Sequence, residues 1–239
     1  MPSITVEAIL FDMDGTLIDS TDGVRAAWNA YGNRFGFDGV EAAHATHGRR
    51  LADTLAEWCK LSDPRDIQEC FHCMESAEIV KFEDEVINVG PVLLPGVLEL
   101  IDQIDSGRTT DGPFGWTIVT SATSLYTGKA LERCGVPLPD VGYVTSDDVH
   151  RGKPHPDPYL AGAKKIGVDP ANCVVIEDAP SGLKSGRAAG SKTIAVCTSH
   201  TREQITTSGA KPDFIVKNLS KISVRWLDGK IELTIDDTL

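Results

Sequence analysis

Short apolar runs and longer amphipathic stretches alternate along most of this chain. The runs fall at residues 6–11, 116–120, 142–145, 173–176, 193–197 and 214–216. Most are rich in β-branched residues and bounded by Gly, Pro or Asp, the pattern of strands. Helix-like segments at 97–104, 125–134, 158–166 and 182–189 lie between them. This alternation predicts βαβ units and an α/β fold with a parallel sheet.

One interval breaks the pattern. From 21 to 89 no convincing strand occurs and helical periodicity dominates. Asp19, Ser20 and Thr21 offer helix caps at its start. Pro91, and Pro95 followed by Gly96, mark its end. Three segments are therefore expected: 1–20 with the first core strand, a helical insert at 21–90, and the rest of the core at 91–239. Residues 107–115, rich in Gly, Thr and Asp, are expected to form a surface loop. No internal repeat or low-complexity tract is evident.

Composition sharpens this picture. A length of 239 residues accommodates one α/β domain of about 150–170 residues plus a small additional domain. Hydrophobic residues make up 41% and charged residues 24%, which supports a sizeable core. The net charge of −12 argues against nucleic-acid partners, which need a basic surface. An acidic protein that binds an anion must gather its few cations locally, so single Lys and Arg residues near acidic motifs carry the interest. The apolar run at 6–11 is far shorter than the roughly 18 residues of a membrane span. No leader and no membrane association are expected, and the expected setting is cytoplasmic. Cys70 and Cys73 form a C-x-x-C with His72 between them, but no second pair follows. Reduced cysteines on a helix are expected there rather than zinc.

In open parallel sheets, ligands sit beyond the carboxyl ends of the strands. Asp12-Met13-Asp14-Gly15-Thr16 follows the first run, and Thr120-Ser121-Ala122 follows the second. Gly152-Lys153-Pro154 lies in the loop after the third, and Glu177-Asp178 closes the fourth. Each piece alone has an ordinary explanation: loop acids, a helix-capping serine, a solvated lysine, N-cap carboxylates. Their joint placement at four strand ends points to one site. Competing motifs fail. An EF-hand loop needs Gly at its sixth position, whereas Gly15 is fourth from Asp12, and no G-x-x-x-x-G-K-[ST] occurs.

Phe11-Asp12-Met13-Asp14-Gly15-Thr16-Leu17 resembles the D-x-D-G-T signature of haloacid-dehalogenase-like phosphatases. Ser121, Lys153 and Glu177-Asp178 match their second, third and fourth motifs in order, and the insert looks like their helical cap domain. The likeness covers nearly the whole chain and implies a Rossmann-like core. It is closest to the glycerol-phosphate and 2-deoxyglucose-phosphate phosphatase group. The supporting runs are His47-Gly48-Arg49-Arg50, residues 152–159 and residues 177–182.

This resemblance implies Mg²⁺, held by the Asp12 side chain, the Asp14 carbonyl and the Asp178 carboxylate, with Glu177 standing behind to hold one of the ion's waters. It implies attack by Asp12 on a small phosphorylated metabolite such as a sugar or polyol phosphate. Asp14 would be acid and base, and Lys153 would bridge the phosphoryl group and Asp12. Ser121 and the backbone N–H of Ala122 would bind a phosphoryl oxygen. Gly15 would relieve crowding in the turn, and Thr16 would brace it or simply occupy it. In the cap, His47 and Arg50 are the expected specificity residues, with Arg49 less favoured. His44, His72, His150 and His200 have no evident role, and His155 shapes the Lys153 loop. A monomer is expected. The alternatives are a β-phosphoglucomutase-type phosphoryl transfer and a non-catalytic scaffold on the same fold; a metal-free dehalogenase fits the acidic set poorly.

Overall fold

The structure, a computed structural model, describes residues 1–59, 71–108 and 114–236, with the side chains of 71–79 excepted. Its centre is a five-stranded parallel sheet of β2 (Ala8–Phe11), β5 (Trp116–Ile118), β6 (Cys173–Glu177), β7 (Lys192–Val196) and β8 (Phe214–Val216). Their order across the sheet is β5-β2-β6-β7-β8. Every residue of β2 and β6 is buried, as expected when helices cover both faces of a parallel sheet. The pleat sends alternate residues to opposite layers. Ile9 and Phe11 join a core with Leu100, Ile104, Ala130 and Leu131, whereas Ala8 and Leu10 pack with Tyr159, Ala163 and Val175.

The helices that supply these layers follow the strands in order: α5 (Val97–Gly107), α6 (Ser124–Cys134), α7 (Asp157–Ile166), α8 (Pro180–Ala188) and α9 (Arg202–Thr207). Between β2 and α5 lie α1 (Thr21–Phe35), α2 (Gly39–Thr46), α3 (Leu51–Trp58) and α4 (Phe71–Val89). Trp28, Tyr31, Phe37, Trp58 and Phe82 stack edge-on or tilted among them. Two short strands flank this helical segment, β3 (Ile18–Asp19) before it and β4 (Val92–Leu93) after it. They pair antiparallel and bring its two ends together. No helix among the described residues is long and apolar enough to cross a membrane.

Three strand expectations need correction. The run at 6–11 is two strands, not one. Glu7 turns its amide to Asn172 O at 2.8 Å, separating β2 from β1 (Ser3–Val6), which pairs antiparallel in another sheet. The run at 142–145 forms a single bridge, Val119 to Val144, and no full strand. The third departure is an omission. β9 (Ile222–Leu227) and β10 (Lys230–Ile235) form a hairpin that completes the sheet with β1. Its turn is Asp228-Gly229, both at positive φ, the backbone that two-residue hairpins need. The Cys70–His72–Cys73 run lies outside the described side chains.

Candidate active site

β2 ends at Phe11 and delivers Asp12 to the carboxyl edge of the sheet, where its amide donates to Ile176 O at 3.0 Å. β6 ends beside it with Glu177, followed by Asp178. Gly15 lets the two loops meet. Its φ is +88°, and a Cβ there would lie 2.1 Å from Asp178 Oδ2. Gly182 does the same for Glu177, since its Cβ would fall 1.5 Å from Oε1.

Lys153 is the hub of the buried charge. Its ammonium donates to Asp12 Oδ1 at 2.6 Å, Glu177 Oε1 at 2.8 Å and Val119 O at 3.0 Å. All three of its protons are thereby used, which is how a buried ammonium is made tolerable. Glu177 is further fixed by the Tyr159 hydroxyl at 3.0 Å and the Ala179 amide at 2.9 Å. Burial and the Glu177 charge push Asp12 well above the usual carboxylate range, against the pull of Lys153. Lys153 is raised despite burial, because Asp12 and Glu177 hold its proton.

Asp178 accepts from Ser199 Oγ at Oδ2 and lies 2.8 Å from His47 Nε2. Its other oxygen, Oδ1, is buried with no partner among the described residues. Burial opposes its charge, yet His47 beside it holds it below the usual range. Burial likewise opposes charge on His47, but Asp178 overrides it and lifts the imidazole to about 9. Asp14 accepts from the Tyr126 hydroxyl at 2.8 Å. Burial raises its pKa, partly offset by hydrogen bonds from Ser20 and Tyr126.

The loop after β5 is tied from the insert. Thr123 caps α6, and Glu83 of α4 accepts from its amide at 3.0 Å and its hydroxyl at 2.5 Å. Ser121 Oγ donates to Gly48 O at 3.1 Å, and the Ala122 amide donates to Thr120 Oγ1 at 3.1 Å. A cavity of about 110 Å³ opens here, lined by Asp12, Asp14, Ser121 and Ala122 from the core and by His47 and Arg49 from the insert.

The structure thus gathers Asp12, Asp14, Ser121, Ala122, Lys153, Glu177, Asp178 and His47. It does not bring Arg50 to the cavity. Arg50 stands at the start of α3 and turns back onto Asp53, with Nη2 2.7 Å from Oδ1; a Cβ on Gly152 would lie 2.9 Å from its own Cβ. Arg49 lines the cavity instead, its Nη2 2.7 Å from Glu57. Thr16 does not brace the turn through its hydroxyl, which is buried without a partner among the described residues. Sequence reasoning missed Tyr126, Glu83 and the Thr198-Ser199-His200 loop. That loop follows β7, so the strand-end rule that located the other motifs extends to it. Thr198 Oγ1 donates to Gly15 O and Ser199 to Asp178.

Residues 6–190 match a family model described as haloacid dehalogenase-like hydrolase. The chain belongs to this family. Hexitol phosphatase A of Escherichia coli is 36% identical to the hydrolase over 190 residues, 80% of this chain and 82% of that protein. Glycerol-1-phosphate phosphohydrolase 2 of Saccharomyces cerevisiae is 32% identical over 248 aligned positions, 99% of this chain and 93% of that protein. Among solved structures, a candidate β-phosphoglucomutase from Bacteroides vulgatus superimposes on the hydrolase with a TM-score of 0.72 and 29% identity. That match covers 90% of this chain and 85% of the other.

Proposed function

We propose that this hydrolase is a Mg²⁺-dependent phosphomonoesterase acting on sugar or polyol phosphates through a phosphoryl ester of Asp12. The observation that carries the reading is the buried Lys153 ammonium, held between Asp12 and Glu177 beside Asp178 at the carboxyl edge of the sheet. A phosphoryl group carries about two negative charges, so a carboxylate reaches it only where cations offset the repulsion.

The residues present fit a hard divalent ion. Ligand oxygens of Asp12, Glu177 and Asp178 lie within 4.8 Å of one another, and Asp178 Oδ1 is buried with no partner among the described residues. An oxygen-only donor set suits Mg²⁺ over softer ions. Asp12 and Asp178, with the Asp14 carbonyl, would hold it, and Glu177 stands behind. When bound, it supplies positive charge against the phosphoryl oxygens.

The chain's own residues supply the rest. An Asp12 oxygen bonds to phosphorus as the bond to the leaving oxygen breaks, and Asp14 gives that oxygen a proton. Water then attacks phosphorus, Asp14 takes its proton, and Asp12 is released with inorganic phosphate. Tyr126 holds Asp14, and Lys153 neutralises the phosphoryl oxygens near Asp12. Ser121 and Ala122 position the group, with the Ala122 amide exchanging its bond to Thr120 for one to phosphate. Residues 21–90 act as the cap that excludes water and chooses the substrate. His47 and Arg49 reach toward the bound molecule, while Arg50 holds the cap against the Lys153 loop. The names of the relatives, hexitol and glycerol-1-phosphate phosphatases, support polyol phosphates as the substrate class. A monomer in the cytoplasm is the setting this reading adopts.

The test is phosphate release from sorbitol 6-phosphate, glycerol phosphate and 2-deoxyglucose 6-phosphate, with Mg²⁺ and with chelator. In parallel, β-glucose 1-phosphate with a trace of its 1,6-bisphosphate is followed for glucose 6-phosphate. Mg²⁺-dependent phosphate release, absent in a folded Asp12→Asn variant, is expected. Rapid isomerisation with little phosphate release, or full turnover after metal removal, would overturn the reading.

A further inference from the structure

Three side chains converge beside the oxygen cluster from three separate loops. His47 lies between α2 and α3, Asp178 follows β6, and His200 follows β7. The His47 and His200 rings meet edge to face, with centroids 5.3 Å apart and planes at 69°. One ligand-capable atom from each of His47, Asp178 and His200 falls within 4.8 Å of the others. Ser199 ties the group together, since its hydroxyl contacts both Asp178 Oδ2 and, at 3.0 Å, His200 Nδ1.

We propose that His47, Asp178 and His200 form a binding site for a borderline divalent ion of the zinc class, sharing Asp178 with the oxygen cluster. Donor chemistry separates the two sets. Asp12, Glu177 and Asp178 offer oxygen alone and suit a hard ion. Two imidazoles with one carboxylate suit Zn²⁺, Co²⁺ or Ni²⁺, and three protein ligands leave a position open to water. Both histidines are half-buried, so the site is shielded yet reachable. Asp178 belongs to both sets, so the two ions compete for one carboxylate. An ion at this site takes an imidazole that reaches into the cavity and a carboxylate that the hard ion needs, so it inhibits.

The test begins with metal-stripped protein titrated with Zn²⁺ against a chromophoric chelator, which requires no turnover. One equivalent per chain should bind. His200→Gln should weaken it by at least about tenfold, the scale on which metal sites respond to losing supporting groups. Asp12→Asn should retain it, as should a Cys70→Ser/Cys73→Ser double variant. Zinc-edge absorption on the wild-type protein should show two imidazoles and no sulfur, a readout independent of whether any variant folds. Absent binding, binding unchanged in His200→Gln, loss in the cysteine variant, or sulfur in the coordination shell would overturn the site. Bound zinc should lower Mg²⁺-supported turnover in the wild type and not in His200→Gln. Unchanged wild-type turnover with zinc bound would overturn the sharing of Asp178.

Discussion

Lys153 makes the cost of a buried charge visible at a single residue. It is 3% exposed and neutralises two carboxylates that would otherwise face each other in a dry interior. Lys153→Ala should therefore damage both the fold and the chemistry. Stability should fall by about 3–5 kcal/mol, the usual cost of leaving a buried charge unpaired. The turnover of molecules that still fold should fall on the order of 10²–10³. Denaturant melts beside single-turnover kinetics check the two separately, and a loss in stability alone would make Lys153 only structural. Tyr126 tests a different step. Its hydroxyl donates to Asp14, so under the proposed mechanism it would act by positioning the acid. Tyr126→Phe should lower kcat on an alkyl phosphate, whose leaving oxygen needs a proton, far more than on an activated aryl phosphate, which does not. Equal losses on both would show that the hydroxyl merely supports packing. The strand-end positions of Asp12 and Glu177-Asp178 were legible because β2 and β6 are continuous apolar runs; the run before Lys153 forms only a bridge, so Lys153 was marked by its motif rather than by a strand end. Tyr126 was not: the phase of α6 against the Asp12 loop is set by packing across 112 positions of sequence.

Elements meet at Glu83, where α4 holds the start of α6. Glu83 is 6% exposed, and burial lifts its carboxyl to about 7 despite the hydrogen bonds from Thr123; Asp14 and Asp147 add to the rise. The folded value lies above the unfolded one, so the fold is favoured by protonation. That contribution is complete below about pH 4.5 and is lost as pH rises through about 7. Glu83→Gln keeps the shape and never ionises. Relative to this variant the wild type should lose stability between pH 5 and 8, by no more than about 3 kcal/mol. Parallel denaturation curves across that range provide the measurement, and a constant difference would mean Glu83 is already ionised at pH 5. The helices α1 to α4 were readable from the missing strand pattern after residue 20. The β9–β10 hairpin was equally written, in alternating Ile222–Leu227 and Lys230–Ile235 about Asp228-Gly229, but half-exposed strands lack the continuous apolar run that marks the parallel core. The split at Glu7 was hidden for the opposite reason: one apolar stretch feeds two sheets, and only the partner strands decide where it breaks.

Across the whole molecule, a net charge of −12 opposes compaction, and any salt relieves part of that repulsion. The proposed binding of Mg²⁺ at the Asp12–Glu177–Asp178 set is distinguishable from this general screening. An ion that binds the folded chain and not the unfolded one stabilises by RT ln(1 + [L]/Kd), about 2.7 kcal/mol at a hundredfold excess over Kd. Screening instead follows ionic strength whatever the cation. At matched ionic strength, Mg²⁺ should therefore raise the melting temperature above the NaCl value in the wild type. Asp178→Asn changes the net charge only from −12 to −11, which hardly alters screening, but it takes away a proposed ligand whose Oδ1 is buried with no partner among the described residues. The Mg²⁺-specific increment should vanish in that variant while the NaCl response remains. Thermal melts of both proteins in both salts distinguish the effects. An increment of equal size in wild type and Asp178→Asn would place the stabilising ion elsewhere on the acidic surface and remove the ground for assigning it to the carboxyl edge of the sheet.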